Sequence, residues 1–414
     1  MQTKCVPASS CPLILACPQR VCPVNPLPNP HSRTSALEPW QALAVLYKSM
    51  SLRPAFLLAA ASILSIPAAA QNPQTHTLLA TPSTVAWGFY SAHAKPALTV
   101  HSGDTVIMQT ASTCGPPQRL IDQGVAAASI PAWLGDLYEK VPQADRGPGG
   151  HILTGPVAVA EAEPGDILEV RVLKVQLDTD FACNGFGTGR GFLPDDFPYG
   201  HSKIIPLNRT AMTAAFAPGI TIPLHPFFGS MGIAPPESAG KWNSAPPWMH
   251  GGNMDNKELT AGAVVFYPVH APGALFEAGD GHAGQGNGEV DITALETFLT
   301  GTFQFFVHKG EATRQRLLWP RAETSSAYIA MGFHEDLKAA TEMAVRNMIT
   351  FLSEQNPDFP HLSRDDSYAL ISTACDVNIT QLVDTKSGVH VICPKSLFTG
   401  PRLLSQKGVV ANRN

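Results

Sequence analysis

Residues 279–289 read Gly-Asp-Gly-His-Ala-Gly-Gln-Gly-Asn-Gly-Glu, with glycine at every second position or nearly so. Glycine lets backbone approach another group closely and adopt dihedrals closed to other residues. In an extended chain Asp280 and His282 point to one face, while Gln285, Asn287 and Glu289 share a face further on. Carboxylate and imidazole groups converging in this way suit a divalent metal ion. A polar, glycine-rich surface loop is the plainer alternative, and so is a single copy of a calcium-binding repeat. One copy cannot build a β-roll.

The remaining sequence indicates what surrounds this run. The chain has 414 residues, 44% hydrophobic and 15% charged, enough for one large domain or two moderate ones. A net charge of −5 gives no basic footprint for nucleic acid. Low charge with 37 Pro and 34 Gly favours short strands and many turns over long exposed helices.

The N-terminus holds two pieces. From Met50 a basic start, an apolar run from Ala55 to Ile66 and the small-residue stretch Pro67-Ala68-Ala69-Ala70-Gln71 make a secretory signal peptide, residues 50–70. The expected location is periplasmic or secreted, with no stable membrane insertion after the signal is removed. Residues 1–49 carry Cys5, Cys11, Cys17 and Cys22 among prolines, without zinc-finger spacing. They read as a start-site artefact upstream of Met50 or as a disordered extension. The mature chain keeps Cys114, Cys183, Cys375 and Cys393. Export permits disulfides among them, and Cys375 with Cys393 flank a segment able to fold back on itself; four free thiols is the alternative.

Strand-like alternation runs through residues 83–112 and 156–176, and resumes at 263–267 and 303–307. Ser102-Gly103-Asp104 and Pro164-Gly165-Asp166 are similar turns, each followed by a strand, which hints at paired β units. Residues 177–260 are rich in Pro, Gly and aromatics and read as long loops with short strands. Apolar spacing predicts a helix over 335–353 and a second over 364–373. These patterns make the expected fold mainly β, with a β-rich core over 71–330 and C-terminal helices and strands over 331–414 completing the same domain.

Three further segments carry unusual chemistry: Gly149-Gly150-His151-Ile152-Leu153-Thr154-Gly155-Pro156, Phe227-Phe228-Gly229-Ser230-Met231-Gly232-Ile233-Ala234-Pro235-Pro236, and His250-Gly251-Gly252-Asn253-Met254-Asp255. Together with 279–289, these motifs closely resemble the acetamidase/formamidase family, in the right order and from about Val85 to Phe398. Asn287 stands where family members often carry Asp, which removes a charge from the loop. Around Thr113-Cys114-Gly115-Pro116 no family pattern is visible.

The resemblance implies hydrolysis of short amides such as formamide and acetamide, a β-sandwich core, a homo-oligomer, and divalent metal: zinc, or zinc with calcium. Candidate metal ligands are Asp255, Asp280, His282 and His151. Glu289 is the candidate general base or a further ligand, with His282 and Gln285 beside it in the catalytic set. Asn253, His250 and Phe228 are candidates for binding the amide. Each has a plainer role available: His151 as a structural histidine, Asp255 as a turn cap, Glu289 as a strand residue, His250 at the surface. Trp87, Trp242 and Trp248 read as core or pocket wall. No Gly-x-Ser-x-Gly elbow is present, and Gly229-Ser230-Met231-Gly232 has the wrong spacing for one. The competing function is a non-catalytic periplasmic small-molecule binding protein on the same scaffold, its metal purely structural.

Overall fold

Two turns of the same build start the strands that brace the main sheet. In a computed structural model, which describes residues 72–355 and 361–399, Asp104 and Asp166 each close a turn. Their backbone N–H groups donate to the carbonyls of His101 and Glu163, both at 3.0 Å. Their carboxylates in turn accept from the N–H groups of the same two residues, at 3.0 and 2.9 Å. The glycine before each acid, Gly103 (φ +102°) or Gly165 (φ +95°), takes backbone angles that a side chain would strain. The strands that follow, Thr105–Gln109 and Ile167–Leu177, pair antiparallel on opposite sides of Leu299–His308. The likeness of the two motifs is therefore a shared turn geometry about one central strand.

These three strands belong to a nine-stranded sheet that continues through Val264–Pro268, Arg321–Glu323 and Ala327–His334 to the C-terminal hairpin Lys386–Pro394 and Asp376–Asp384. A second sheet of eleven strands has Phe276–His282 at its middle, paired with Phe227–Gly232, Glu296–Thr297 and Ile152–Val159. The two sheets face one another across a phenylalanine layer. Phe228 and Phe276 from one sheet each lie 5.3 Å from Phe303 of the other, and Phe276 is 5.2 Å from Phe305. All four rings are fully buried. Removing one such ring from a packed core costs about 3–5 kcal/mol. The fold is a mostly β sandwich: the alternation and turn spacing anticipate its strands, and the family resemblance its sandwich core.

At the C-terminal end the helix Leu337–Thr350 is capped by Asp336, whose carboxylate accepts from the Ala339 N–H at 2.8 Å. It buries Ala340, Ala344 and Met348 against the sheet. Gly332 opposite has no Cβ to hold the helix backbone at Ala340 and Ala344 away. A π-helical turn, Phe351–Gln355, extends it, and a second helix spans Arg364–Ala374. The short helices Pro117–Asp122 and Leu134–Lys140 have no counterpart in the sequence reading, which placed added helices only at the C-terminus. They pack around Trp87, Leu120, Leu134 and Leu137.

The disulfide joins Cys114 to Cys183, tying that helical segment to strand Phe181–Phe186. Cys375 and Cys393 are thiols, so the expected bond between them is corrected. The segment between them does fold back, as the hairpin Asp376–Asp384 with Lys386–Pro394. Residues 1–49 and the expected signal segment 50–70 lie outside the described residues. Among the described residues no helix is long and apolar enough to cross a membrane.

Asp166 gives a test of the turn. Burial alone would raise its pKa. The Lys309 ammonium at 2.6 Å and the N–H groups of Gly310 and Glu163 outweigh that and hold it below the ordinary value. A depressed carboxylate stabilises the fold above the unfolded pKa of about 3.9 and ceases to as pH falls through the folded value. Asp166→Asn is expected to cost about 1–3 kcal/mol at pH 7, measured by urea unfolding, with the gap to the parent closing below about pH 4. A gap that stays constant down to pH 3 refutes this role. A chain beginning at Gln71, unfolded in denaturant, is also expected to alkylate at Cys375 and Cys393 without reductant, and at Cys114 and Cys183 only after reduction, read by intact mass.

Candidate functional site

Gly229 is the floor of the site. It lies in strand Phe227–Gly232, directly opposite Asp280 between the registered pairs Phe228–Gly281 and Ser230–Gly279. A Cβ placed there would fall 2.5 Å from Asp255 Oδ1, 2.6 Å from Asp280 Oδ2 and 2.7 Å from His282 Cε1. The absence of a side chain thus lets three functional groups converge above one backbone position. Period-two alternation puts Asp280 and His282 on the same face, with Asp280 Oδ2 3.3 Å from His282 Nε2.

Further acids close in from other elements. Glu296, from the short strand Glu296–Thr297, lies 3.2 Å from His282 Nε2. It is fixed by the Thr113 hydroxyl at 2.7 Å and the Ala294 N–H at 2.9 Å. Asp384 comes from the end of the C-terminal hairpin. Three groupings have ligand atoms mutually within 4.8 Å: Asp255, Asp280 and His282; His282, Glu289 and Glu296; Asp255, Glu289 and Asp384. All six residues are buried.

The backbone is bent to achieve this. Asp255 (φ +48°), Asp280 (φ +55°) and Glu289 (φ +43°) all sit in the left-handed region that favours glycine. Non-glycine residues held there cost of order 1–3 kcal/mol each and cluster at functional sites. The extended face expected for Gln285, Asn287 and Glu289 is not formed, because strand Phe276–His282 ends at His282. Beyond it Gly288 bonds to the hairpin, donating to Thr380 O at 2.9 Å and accepting from Leu382 N–H at 3.1 Å. Glu289 is turned inward, and Asn287 is exposed.

Gln285 serves the protein rather than an open site. Its NH2 donates to the Asp255 carbonyl at 2.8 Å, so its carbonyl oxygen faces His282 Nδ1 at 3.0 Å. That places a proton on Nδ1 and turns Nε2 toward the acids. Asn253 donates to Asp255 Oδ2 at 2.7 Å. His151 is oriented by Ser244, through its hydroxyl at 3.0 Å and its carbonyl at 3.1 Å, with Nε2 3.9 Å from Asp280. It borders the acids but stands outside the three groupings.

Two residues expected to bind the amide are placed elsewhere. Phe228 is in the sandwich core, because alternation sends it to the face opposite Gly229; Phe227 is the ring at the site, edge-on to His282 at 5.1 Å. His250 is fully buried against Tyr90 at 4.8 Å and Trp242 at 6.0 Å. Glu296 and Asp384 were not singled out from sequence. Neither lies in a motif, and Asp384 is brought in only by tertiary pairing.

Crowded acids shift one another. Burial, with the charges of Glu289, Asp384 and Asp280 added, pushes Asp255 well above the carboxylate range. Burial and the neighbouring carboxylates do the same to Glu289, and burial takes Asp384 up to about 6. Burial opposes ionisation of Asp280 too, but His151 and His282 outweigh it and hold its pKa low. Burial would likewise neutralise His282, yet Glu296 and Asp280 keep it well above its ordinary value.

The donor set fits a divalent cation on structural grounds. Asp255 Oδ1, His282 Nε2 and Asp384 Oδ2 are buried without a hydrogen-bond partner, and all three belong to the groupings above. Oxygen donors with one imidazole suit zinc, and the all-carboxylate grouping suits a harder ion such as calcium.

Fold and site define a β-sandwich protein whose buried acids and imidazole converge in groupings able to hold a metal ion. A model of the acetamidase/formamidase family matches residues 147–245 and 240–400. The chain belongs to that family. It is 29% identical over 202 residues to an acetamidase of Mycolicibacterium smegmatis, covering 34% of this chain and 49% of that protein. It is 28% identical over 193 residues to a formamidase of Methylophilus methylotrophus, covering 34% and 47%. The match thus spans about half the length of these curated relatives. Among solved structures, a recombinant predicted acetamidase/formamidase from Thermoanaerobacter tengcongensis superposes with a TM-score of 0.64 at 26% identity, covering 79% of this chain and 97% of that one. An acetamidase from Bacillus halodurans gives 0.63 at 28%, covering 78% and 98%.

Gly229→Ala tests the floor. The added methyl is expected to displace Asp255 or Asp280, lowering bound divalent metal in elemental analysis at least several-fold while the circular dichroism spectrum stays β. Full metal occupancy in a folded variant would show that these groups do not share an ion.

Proposed function

We propose that this protein is a metal-dependent amidase, cleaving the C–N bond of short linear amides, formamide- or acetamide-like, to a carboxylate and ammonia. The observation that carries this reading is the convergence of Asp255, Asp280 and His282 over the bare backbone of Gly229, with Glu289, Glu296 and Asp384 in groupings that share members with them. The names of the relatives support the same chemistry.

An amide carbonyl is a weak electrophile. A divalent ion held by Asp255, Asp280 and His282 would polarise its oxygen and lower the pKa of water toward neutrality. The residues do the rest. Glu289 would take the water's proton and return it to the departing nitrogen. Gln285 fixes the tautomer of His282, and Asn253 fixes Asp255. Burial keeps bulk water from competing for these groups. Export directed by residues 50–70 would set this activity in the periplasm or outside the cell, where the Cys114–Cys183 bond is chemically at home.

Ammonia release from a panel of short amides, with and without chelator, tests the reading. The parent is expected to release ammonia and to lose that activity on chelation. His282→Ala should lose metal and turnover together. Glu289→Gln should keep metal and fold while turnover falls by about 10²–10⁴-fold. A fall in metal occupancy would reassign Glu289 as a ligand. No release across the panel by metal-loaded parent would favour the small-molecule binding protein.

A further inference from the structure

Buried atoms without partners near the site fall into two sets. Asp255 Oδ1, His282 Nε2 and Asp384 Oδ2 belong to groupings that a divalent ion would satisfy. Asn253 Oδ1, Glu277 Oε2 and both ring nitrogens of His250 do not, although these residues are 2%, 1% and 0% exposed. Buried polar groups in native proteins have partners almost without exception, so the second set needs its own occupant.

Strand register gathers this set. Asn253 lies opposite Ser230 and Glu277 opposite Gly232, and Ser230 and Gly232 are two apart in strand Phe227–Gly232. Asn253, Ser230 and Glu277 therefore project from one face of the sheet. Tyr90 covers that face, with its hydroxyl 2.9 Å from Ser230 Oγ and its ring against His250. Burial, then the charge of Glu277, push the Tyr90 hydroxyl well above its usual range, so it stays neutral. Burial, with His270 and Lys386 nearby adding to it, keeps the His250 ring neutral.

The chemistry of the Glu277 end is specific. Burial pushes the Glu277 carboxyl well above the carboxylate range, so it keeps its proton until a cation beside it favours the ionised form. On the same face are the Asn253 amide oxygen and the Ser230 and Tyr90 hydroxyls, whose oxygens keep lone pairs free to accept. The complement is a small cation able to donate hydrogen bonds in several directions. Asn253 links this face to the acids, since its NH2 holds Asp255 while its oxygen is the unpartnered atom.

We propose that Glu277, Tyr90, Ser230 and Asn253 form a subsite for the ammonium ion. This rests on the amidase reading, in which ammonia is the nitrogen product, but its test needs no turnover. The full chain is titrated with ammonium chloride, ionic strength held constant with tetramethylammonium chloride, and Tm is followed. A saturable rise of about 2 °C is expected at ten times the dissociation constant, larger than with potassium chloride, which has equal charge but no N–H donors. Glu277→Gln should abolish the rise and Tyr90→Phe should weaken it; if the first does not fold, the second carries the test. An unsaturable response, an equal effect of potassium, or an unaltered rise in the folded variants overturns the subsite. Amide hydrolysis without the ammonium response would sink the subsite and leave the amidase reading standing. The response without hydrolysis would do the reverse.

Discussion

Crowded, buried negative charge is the constraint on which the rest of this molecule depends. Asp255, Asp280, Glu289, Glu296 and Asp384 surround one imidazole where water has little access. Each ionised carboxyl placed there without a partner costs several kcal/mol, and the neighbours add repulsion. The raised carboxyl pKa values and the raised His282 are two sides of one adjustment: protons are retained until some cation balances the acids. A divalent ion does so with one particle. That is the physical reason for reading the cluster as a cation site and not as a chance meeting of polar loops.

Such a cluster persists only where the surrounding structure over-determines it. Three of its acids occupy left-handed backbone, a strain a mobile loop would relax. Here Asp280 is pinned between two registered pairs of a central strand, Asp255 by its N–H to the Gly229 carbonyl at 3.1 Å, and Glu289 by the ties of Gly288 to the hairpin. The phenylalanine layer beneath holds the two sheets together and fixes those registers. Packing energy spent far from the site thus holds geometry at it.

What could be seen in the sequence follows from range. The strand alternation, the twin Gly-Asp turns and the helix near 335–353 are local patterns, and they appear with modest shifts at their ends. Asp280 with His282 was legible because period two decides which face they share. The shared face that the same rule predicts for Gln285, Asn287 and Glu289 does not form, since the strand stops at His282 and period two no longer applies. Phe228 is expected at the site but its neighbour Phe227 faces it, because a one-residue step flips a strand side chain. Glu296 and Asp384 carry no local signal. Their roles exist only once distant strands pair.

Asp384 shows most clearly what that pairing does. Asp280 and His282 stand in the eleven-stranded sheet, whereas Asp384 ends Asp376–Asp384, the edge strand of the nine-stranded sheet. The link between them is slight: a bridge from Gly288 to Gln381, two backbone bonds at Gly288, and Gln285 reaching toward Thr380 O at 3.4 Å. Edge strands have one neighbour and open first in local unfolding. Opening this one would withdraw Asp384 and release the loop that turns Glu289 inward, while the phenylalanine core and the Gly229 floor stay intact. The acids on the floor are thus set by global stability, and the acid proposed to move protons by the stability of one hairpin. Substitutions along Val377–Val383 can therefore alter the chemistry of the site without touching it or unfolding the sandwich.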